Sequence, residues 1–306
     1  MNLASRATAL LATFGIAGFQ LLGSFQLASA VSLGAAGGYA LLEIGSGTVA
    51  TSDTDQVNVQ GGNTISGNIG VAAGANLQNT DHSTTINGSI FLATGATYSG
   101  PNPNNVSGAV NTNQNLSAAV IAALTLSTLS AGMSATGSIS NLDMNLTNIT
   151  PGVYNFSSNV NLTQQDTWTL NGAGDYIFNF SGNFGATNKL VMNLTGGASA
   201  QNVLFNILGS GDNSFTNTNL INAIILAPNG NITVNGGSTV NGELISGENI
   251  TLASHANINE ITIGGGNQTA TPLPAALPLF AAGLGAMGLL GWRRKRKGSA
   301  AGATSA

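Results

Sequence analysis

Ile65-Ser66-Gly67-Asn68-Ile69, Ile86-Asn87-Gly88-Ser89-Ile90 and Val106-Ser107-Gly108-Ala109-Val110 repeat one phrase: apolar, Asn or Ser, Gly, one residue, apolar. The phrases begin 21 and 20 residues apart. A looser version returns near the far end as Ile221-Asn222-Ala223-Ile224, Val240-Asn241-Gly242-Glu243-Leu244 and Ile258-Asn259-Glu260-Ile261, with steps of 19 and 18. A period near 20 reads as a solenoid, in which each coil covers the hydrophobic face of the one before. Three short strands and three tight corners fill about that length.

The intervening sequence fits. Val57-Asn58-Val59, Tyr176-Ile177-Phe178-Asn179-Phe180, Asn202-Val203-Leu204-Phe205-Asn206-Ile207 and Ala223-Ile224-Ile225-Leu226 are short apolar runs bounded by Asn, Gly and Ser, the pattern of strands between turns. Corners need left-handed backbone, which Gly and Asn tolerate. Asn side chains stacked coil on coil can also bond into ladders. That accounts for the 38 Asn residues better than glycosylation does, since sequons such as Asn145-Leu146-Thr147 follow from composition. One segment differs: Asn115 to Leu124 lacks Gly, is Ala-rich, and sets Leu116, Val120 or Ile121, and Leu124 at helical spacing. It predicts a helix over about 117–130, covering an open face or edge of the solenoid.

Only 6% of the residues are charged and 42% are apolar, with no Cys among 306 residues. This composition points to a packed β-protein, not to disorder, and excludes disulfides and thiolate metal sites. Between Arg6 and the run Arg293-Arg294-Lys295-Arg296-Lys297 the single cation is Lys189, whereas all eleven acids lie between Glu43 and Glu260. Such a body has no footprint for nucleic acid.

The ends read as addresses. Arg6, the mostly apolar stretch Ala7–Leu22 and Ala28-Ser29-Ala30 form a secretory signal over residues 1–30, with Ala28 and Ala30 as the small residues before cleavage. From Pro272-Leu273-Pro274 an uncharged segment runs to Trp292; its roughly 18 residues would span about 27 Å as a membrane helix. Trp292 takes an interfacial position, and Arg293 to Lys297 stop transfer. The tail resembles a PEP-CTERM sorting signal, also described as the ice-binding protein C-terminal domain. Pro272-Leu273-Pro274 replaces the commoner Pro-Glu-Pro, while Gly291-Trp292-Arg293-Arg294-Lys295 matches the ending. The resemblance implies a Gram-negative source and an exosortase-type processing enzyme as partner.

The body is similar to a family as well. Thr150-Pro151-Gly152-Val153-Tyr154-Asn155-Phe156 and Thr167-Trp168-Thr169-Leu170-Asn171-Gly172-Ala173-Gly174-Asp175-Tyr176-Ile177-Phe178 look like the ice-binding-like exported domain. Asn202-Val203-Leu204-Phe205-Asn206 and Ile225-Leu226-Ala227-Pro228-Asn229 are also similar to the choice-of-anchor A adhesin domain. The resemblance implies a right-handed parallel β-helix with one helix packed along it.

Catalytic chemistry is sparse. His82 and His255 are far apart in sequence, and adjacent Asp81 and His82 would point to opposite faces of a strand. Both histidines read as turn residues. Asp53-Thr54-Asp55 offers two carboxylates where a Ca²⁺ loop needs more. Lys189 alone cannot neutralise an oxyanion on an acidic sugar. A flat, weakly charged face with Thr at coil spacing would suit ice, but Thr167-Trp168-Thr169 and Thr216-Asn217-Thr218 are 49 residues apart, no clean number of coils.

The sequence therefore predicts an all-β solenoid body over 31–264, a linker over 265–271, a sorting and anchor segment over 272–297, and a flexible tail over 298–306. Its first functional expectation is a non-enzymatic, exosortase-sorted adhesive or matrix protein. A membrane-anchored precursor would pass through the export machinery to the cell surface or outer membrane, or be secreted, with extracellular polysaccharide a partner and no cofactor. The alternatives are an ice-binding protein and a polysaccharide-active enzyme, the latter resting on His82 or Asp175.

Overall fold

The computed structural model describes residues 31–45, 55–81, 83–100 and 105–261. The cleavage positions Ala28 and Ala30, and the sorting positions Pro272, Pro274, Trp292 and Arg293 to Lys297, lie outside the described residues. Among the described residues no helix is long and apolar enough to cross a membrane.

The chain winds as a solenoid of three parallel sheets with nine, eight and eight strands. The expected repeats are its coils. Ile65 pairs with Ile86, and Ile86 bridges Val106; Ile221 pairs with Val240, and Val240 with Ile258. The two series, separate in sequence, are one column in space, because Ile258 pairs with Ile65. At this seam Leu244–Ser246 also pairs with Leu41–Glu43, and Ile250–Ala253 with Gln56–Gln60. The chain thus enters the stack in its middle, winds to one end, and returns to the other end to wind back.

The helix α1 (Ser117–Ala131) carries the return. The nine-stranded sheet runs from Gly152–Phe156 to Val110–Gln114, about 38 Å at ordinary strand spacing. The helix supplies about 22 Å of that, and the chain from Gly132 onward supplies the rest. Docking follows from a match of repeats. Three helical residues rise about 4.5 Å, close to one coil. The side-chain amides of Asn206, Asn179 and Asn155, on successive coils, therefore donate to the carbonyls of Ser127, Ser130 and Met133 at 3.0, 2.8 and 3.1 Å. The same amides donate down the column, Asn206 to Asn179 and Asn179 to Asn155, at 2.9 Å each. Apolar packing joins in: Ala119, Ala123 and Leu126 lie on Ile177, Leu204, Ile224 and Ile245. The middle of the nine-stranded sheet is thereby covered, and strands such as Tyr176–Phe180 are buried on both faces.

The interior tapers. Ile177 follows its partner Val153 by 24 residues and Leu204 follows Ile177 by 27, whereas Ile250 follows Ile232 by 18. The wide coils are filled by Trp168, Phe178, Phe180, Phe184 and Phe205, and the narrow ones by Val and Ile. The Gly of the repeated phrase turns the chain between two sheets where corners stack closely. A Cβ on Gly242 would overlap the Ala223 carbonyl, and one on Gly88 the Gly67 carbonyl. Gly242→Ala should therefore destabilise the fold by about 2 kcal/mol, while Gly38→Ala, whose Cβ would meet nothing within 4 Å, should stay within about 0.5 kcal/mol of the parent; thermal and urea unfolding of the two variants checks this.

Candidate functional site

With one sheet under α1, two outward faces remain. On the first, Asp212–Phe215, Asn231–Val234, Ile250–Ala253 and Gln56–Gln60 lie side by side. Alternation buries Ile232, Val234, Ile250, Leu252, Val57 and Val59 and turns the residues between them outward. In register, Ser214, Thr233, Thr251 and Asn58 form one row. A parallel row, formed by Asp212, Asn231, Asn249 and Gln56, is locked by its own hydrogen bonds. The Asn231 amide donates to Asp212 at 2.8 Å and the Asn249 amide to Asn231 at 2.9 Å, and the Gln56 backbone N–H donates to the Asn249 side-chain oxygen at 2.8 Å. The last of these bonds crosses the seam. These eight residues line an open trough of about 490 Å³. The hydroxyls of Ser214, Thr233 and Thr251 have no partner in the protein among the described residues and face solvent at strand spacing, about 4.8 Å.

On the second face, Thr167, Val191, Leu220, Thr239, Asn257, Thr64 and Thr85 form the corresponding row. Val191 and Leu220 interrupt its polar surface. Beside it the amides of Asn259 and Asn241 donate to Asn241 and Asn222 at 2.9 and 2.8 Å, so part of this face is satisfied internally. The first face is the more regular array of free groups, and it carries one carboxylate, Asp212, at its edge.

The sequence candidates separate from it. Thr167 and Thr169 lie on the second face, while Thr216 and Thr218 flank a corner, with Thr218 at φ 61°; the Thr-x-Thr pairs do not share a row. His255 occupies a corner at φ 64°, stacked over Gly61-Gly62, and its backbone N–H donates to Gly61 at 2.8 Å. Asp81 sits one coil further along that same corner column. His82, Asp53 and Thr54 lie outside the described residues. Asp175 precedes Tyr176–Phe180 at a different corner from His255.

The carboxyl groups have structural work. Burial acts to raise Asp81, but N–H donation from Gly62, Thr84 and Gly61, with the Thr84 hydroxyl, outweighs it and holds the group at about 2. Burial raises Asp166, and repulsion from Asp143 adds to this. Asp143 itself is lowered: its slight burial is outweighed by bonds from Thr163 and Gln164. Among the described residues no three His, Asp or Glu side chains gather to hold a metal ion. Glu243 is the outlier: fully buried at the seam, with neither oxygen hydrogen-bonded. Burial first, and Glu260 second, push it up to about 9.

The ice-binding-like family model matches residues 51–258. An ice-binding protein of a Colwellia species is 36% identical over 104 residues, a match covering 33% of this chain and 39% of that protein's length. The fold is shared with solved structures of lower identity. The ice-binding protein of the Antarctic ascomycete Antarctomyces psychrotrophicus is 22% identical, with a TM-score of 0.53 over 75% of this chain and 98% of that one. An ice-binding protein from an Antarctic Flavobacteriaceae bacterium is 19% identical, with a TM-score of 0.58 over 80% of this chain and 50% of that one. A glycosylated ice-binding protein from an Arctic yeast is 20% identical, with a TM-score of 0.55 over 78% and 97%.

Glu243 yields a pH prediction. Its folded value lies above the ordinary 4.5, so its stabilising contribution is fully present below about pH 4.5 and is lost as the pH rises toward about 9. Melting of the parent chain should weaken over that window, and Glu243→Gln should flatten the dependence and melt higher at pH 8; equal slopes for the two proteins would contradict it.

Proposed function

The chain belongs to the ice-binding-like family, and from that premise we propose that it binds ice through the outward face that carries Thr233 and Thr251. The observation that carries this reading is the two-row array across four coils: free hydroxyls at coil spacing beside a row of amides locked by its own hydrogen bonds. Ice is a fixed lattice of donors and acceptors. A surface that binds it must hold water at regular intervals without rearranging, so its side chains have to be short and already held in place. Thr and Ser fit because their rotamers are few. Charges would retain tightly bound, disordered water, and the trough keeps its one carboxylate at the rim.

The family and the Colwellia relative support ice as ligand; the solved structures support the fold. An adhesive or matrix role, the first expectation from the sequence, has no comparable support. A polysaccharide-active enzyme would need an acid–base pair, whereas Asp81 is tied up by backbone amides and His255 and Asp175 lie at different corners. Export belongs to the same proposal. The signal over residues 1–30 would deliver the chain through the export machinery, and the segment over 272–297 would anchor or sort it at the cell surface through an exosortase-type enzyme. This reading is supported by the two terminal sequences.

Purified protein should show thermal hysteresis and block ice recrystallisation. Thr233→Tyr and Thr251→Tyr, placing bulk in the middle of the trough, should remove most of that activity, while Thr239→Tyr on the second face should keep it. No hysteresis at high protein concentration, or equal losses on both faces, would contradict the assignment. Fractionation with intact-mass measurement of the mature chain tests export, with loss of residues 1–30 and altered location on deletion of 272–306 as the expected results.

A further inference from the structure

The solenoid's wide end holds a second open space, of about 370 Å³, beyond the end of the trough. It forms because the stack stops there. Phe156 lies on the terminal coil, where its ring stacks on Phe180 with centroids 5.1 Å apart and planes at 16°. Among the described residues no coil covers the other side of that ring. The chain after α1 folds over the end instead: Leu142 is buried against the core and its carbonyl accepts from the Trp168 indole at 3.2 Å. Between this loop and the last coil the outer side of Phe156 lines the depression.

Three of the four rim amides share one orientation; the fourth, Asn155, has its Nδ2 committed to the Met133 carbonyl. The Asn141 side-chain oxygen accepts from the Asp143 backbone N–H at 3.0 Å, that of Asn159 from Asn183 at 2.9 Å, and that of Asn161 from the Thr187 hydroxyl at 3.4 Å. With each of these three oxygens committed to the fold, the Nδ2 beside it is left as a free donor. Asp143, also on the rim, accepts from the Thr163 N–H and hydroxyl and from the Gln164 N–H at 2.8, 2.9 and 3.1 Å, so its negative charge is kept but its acceptor capacity is largely used. The space therefore offers an aromatic face, several fixed donors and a negative field.

We propose that this end depression is a binding subsite for a neutral sugar unit, part of an uncharged extracellular glycan. A pyranose ring has an apolar C–H face that an aromatic ring attracts and a circumference of hydroxyl oxygens that amide N–H groups reach. The carboxylate of Asp143 disfavours acidic sugars and phosphates. The site is distinct from the ice-facing trough: its nearest rim residue in that sheet, Asn161, lies two strands beyond Ser214.

The test titrates the purified chain with maltotetraose, cellotetraose and chitotetraose, and with tetragalacturonate as the acidic arm, reading side-chain amide and aromatic shifts by NMR. Saturable binding of at least one neutral probe is expected, with shifts at Phe156, Asn159 and Asn161. Phe156→Leu should weaken it about tenfold. Should that variant unfold, Ser158→Trp at an exposed rim position gives the same reading by blocking the space. Thr233→Tyr should leave sugar binding unchanged. No saturation by any neutral probe up to about 10 mM, far weaker than useful affinity, would overturn the proposal. Tighter binding of tetragalacturonate, or binding untouched by Ser158→Trp, would overturn it equally.

Discussion

The pairing of Asn257–Asn259 with Thr64–Ser66, and of the two strand pairs beside it, is the constraint on which the rest depends. A parallel strand left at an edge exposes a row of unpaired backbone groups. Here the C-terminal coils end, and the N-terminal coils begin, inside one stack, so each covers the other's three edges. Buried Leu41 and Val57 then sit against Leu244 and Ile250 as though the chain were continuous. This arrangement moves the two open ends of the solenoid to the middle of the sequence, between Gln114 and Leu146. The connection has to run the length of the stack, and a helix is the compact way to do that with every backbone group bonded.

The helix in turn depends on a coincidence of two lengths. Three helical residues and one solenoid coil rise by nearly the same distance, so a column of Asn can bond to every third helical carbonyl while bonding to itself. Asn179 and Asn206 do both, and Asn155 continues the series by donating to Met133 just past the helix. Each amide has two N–H groups, and the ladder uses one for its neighbour and one for the helix. A hydroxyl or carboxylate at these positions lacks the second donor. On the trough the same chemistry serves a different end: Asn231 and Asn249 freeze one row, which leaves the adjacent hydroxyls on a surface of fixed spacing.

Much of this was legible in the sequence. The phrase from Ile65 to Ile69 and its copies gave the coil length, and its apolar residues are buried apart from Val110, on the end strand of its sheet, and the half-buried Ile261. The helix expected over 117–130 spans Ser117–Ala131, because a Gly-free, Ala-rich run has helical propensity that no corner interrupts. The order of coils was not legible. Periodicity says that coils stack, but Ile221, Val240, Ile258, Ile65, Ile86 and Val106 carry interchangeable side chains, and nothing in them says which end meets which. The wide coils also escaped the period, since steps of 24 and 27 hold longer strands and corners than the phrase implies. The trough was missed for a related reason: Thr233 and Thr251 lie 18 residues apart in a narrow coil, whereas the conspicuous pair Thr216 and Thr218 brackets a left-handed corner.

Since both the trough and the helix route rest on the seam, proximity across it is the most direct measurement. The chain has no Cys, so Asn58→Cys with Thr251→Cys places two unique thiols on neighbouring strands of the trough, about 5 Å apart, although 193 residues separate them in sequence. A short bis-thiol reagent should link them within one folded chain, visible as a single added mass and a shifted proteolytic map. Ser99→Cys with Ser214→Cys, in the same row but near its opposite ends, should not link. Failure of the first pair in folded protein, or equal linking of both, would contradict the continuous solenoid.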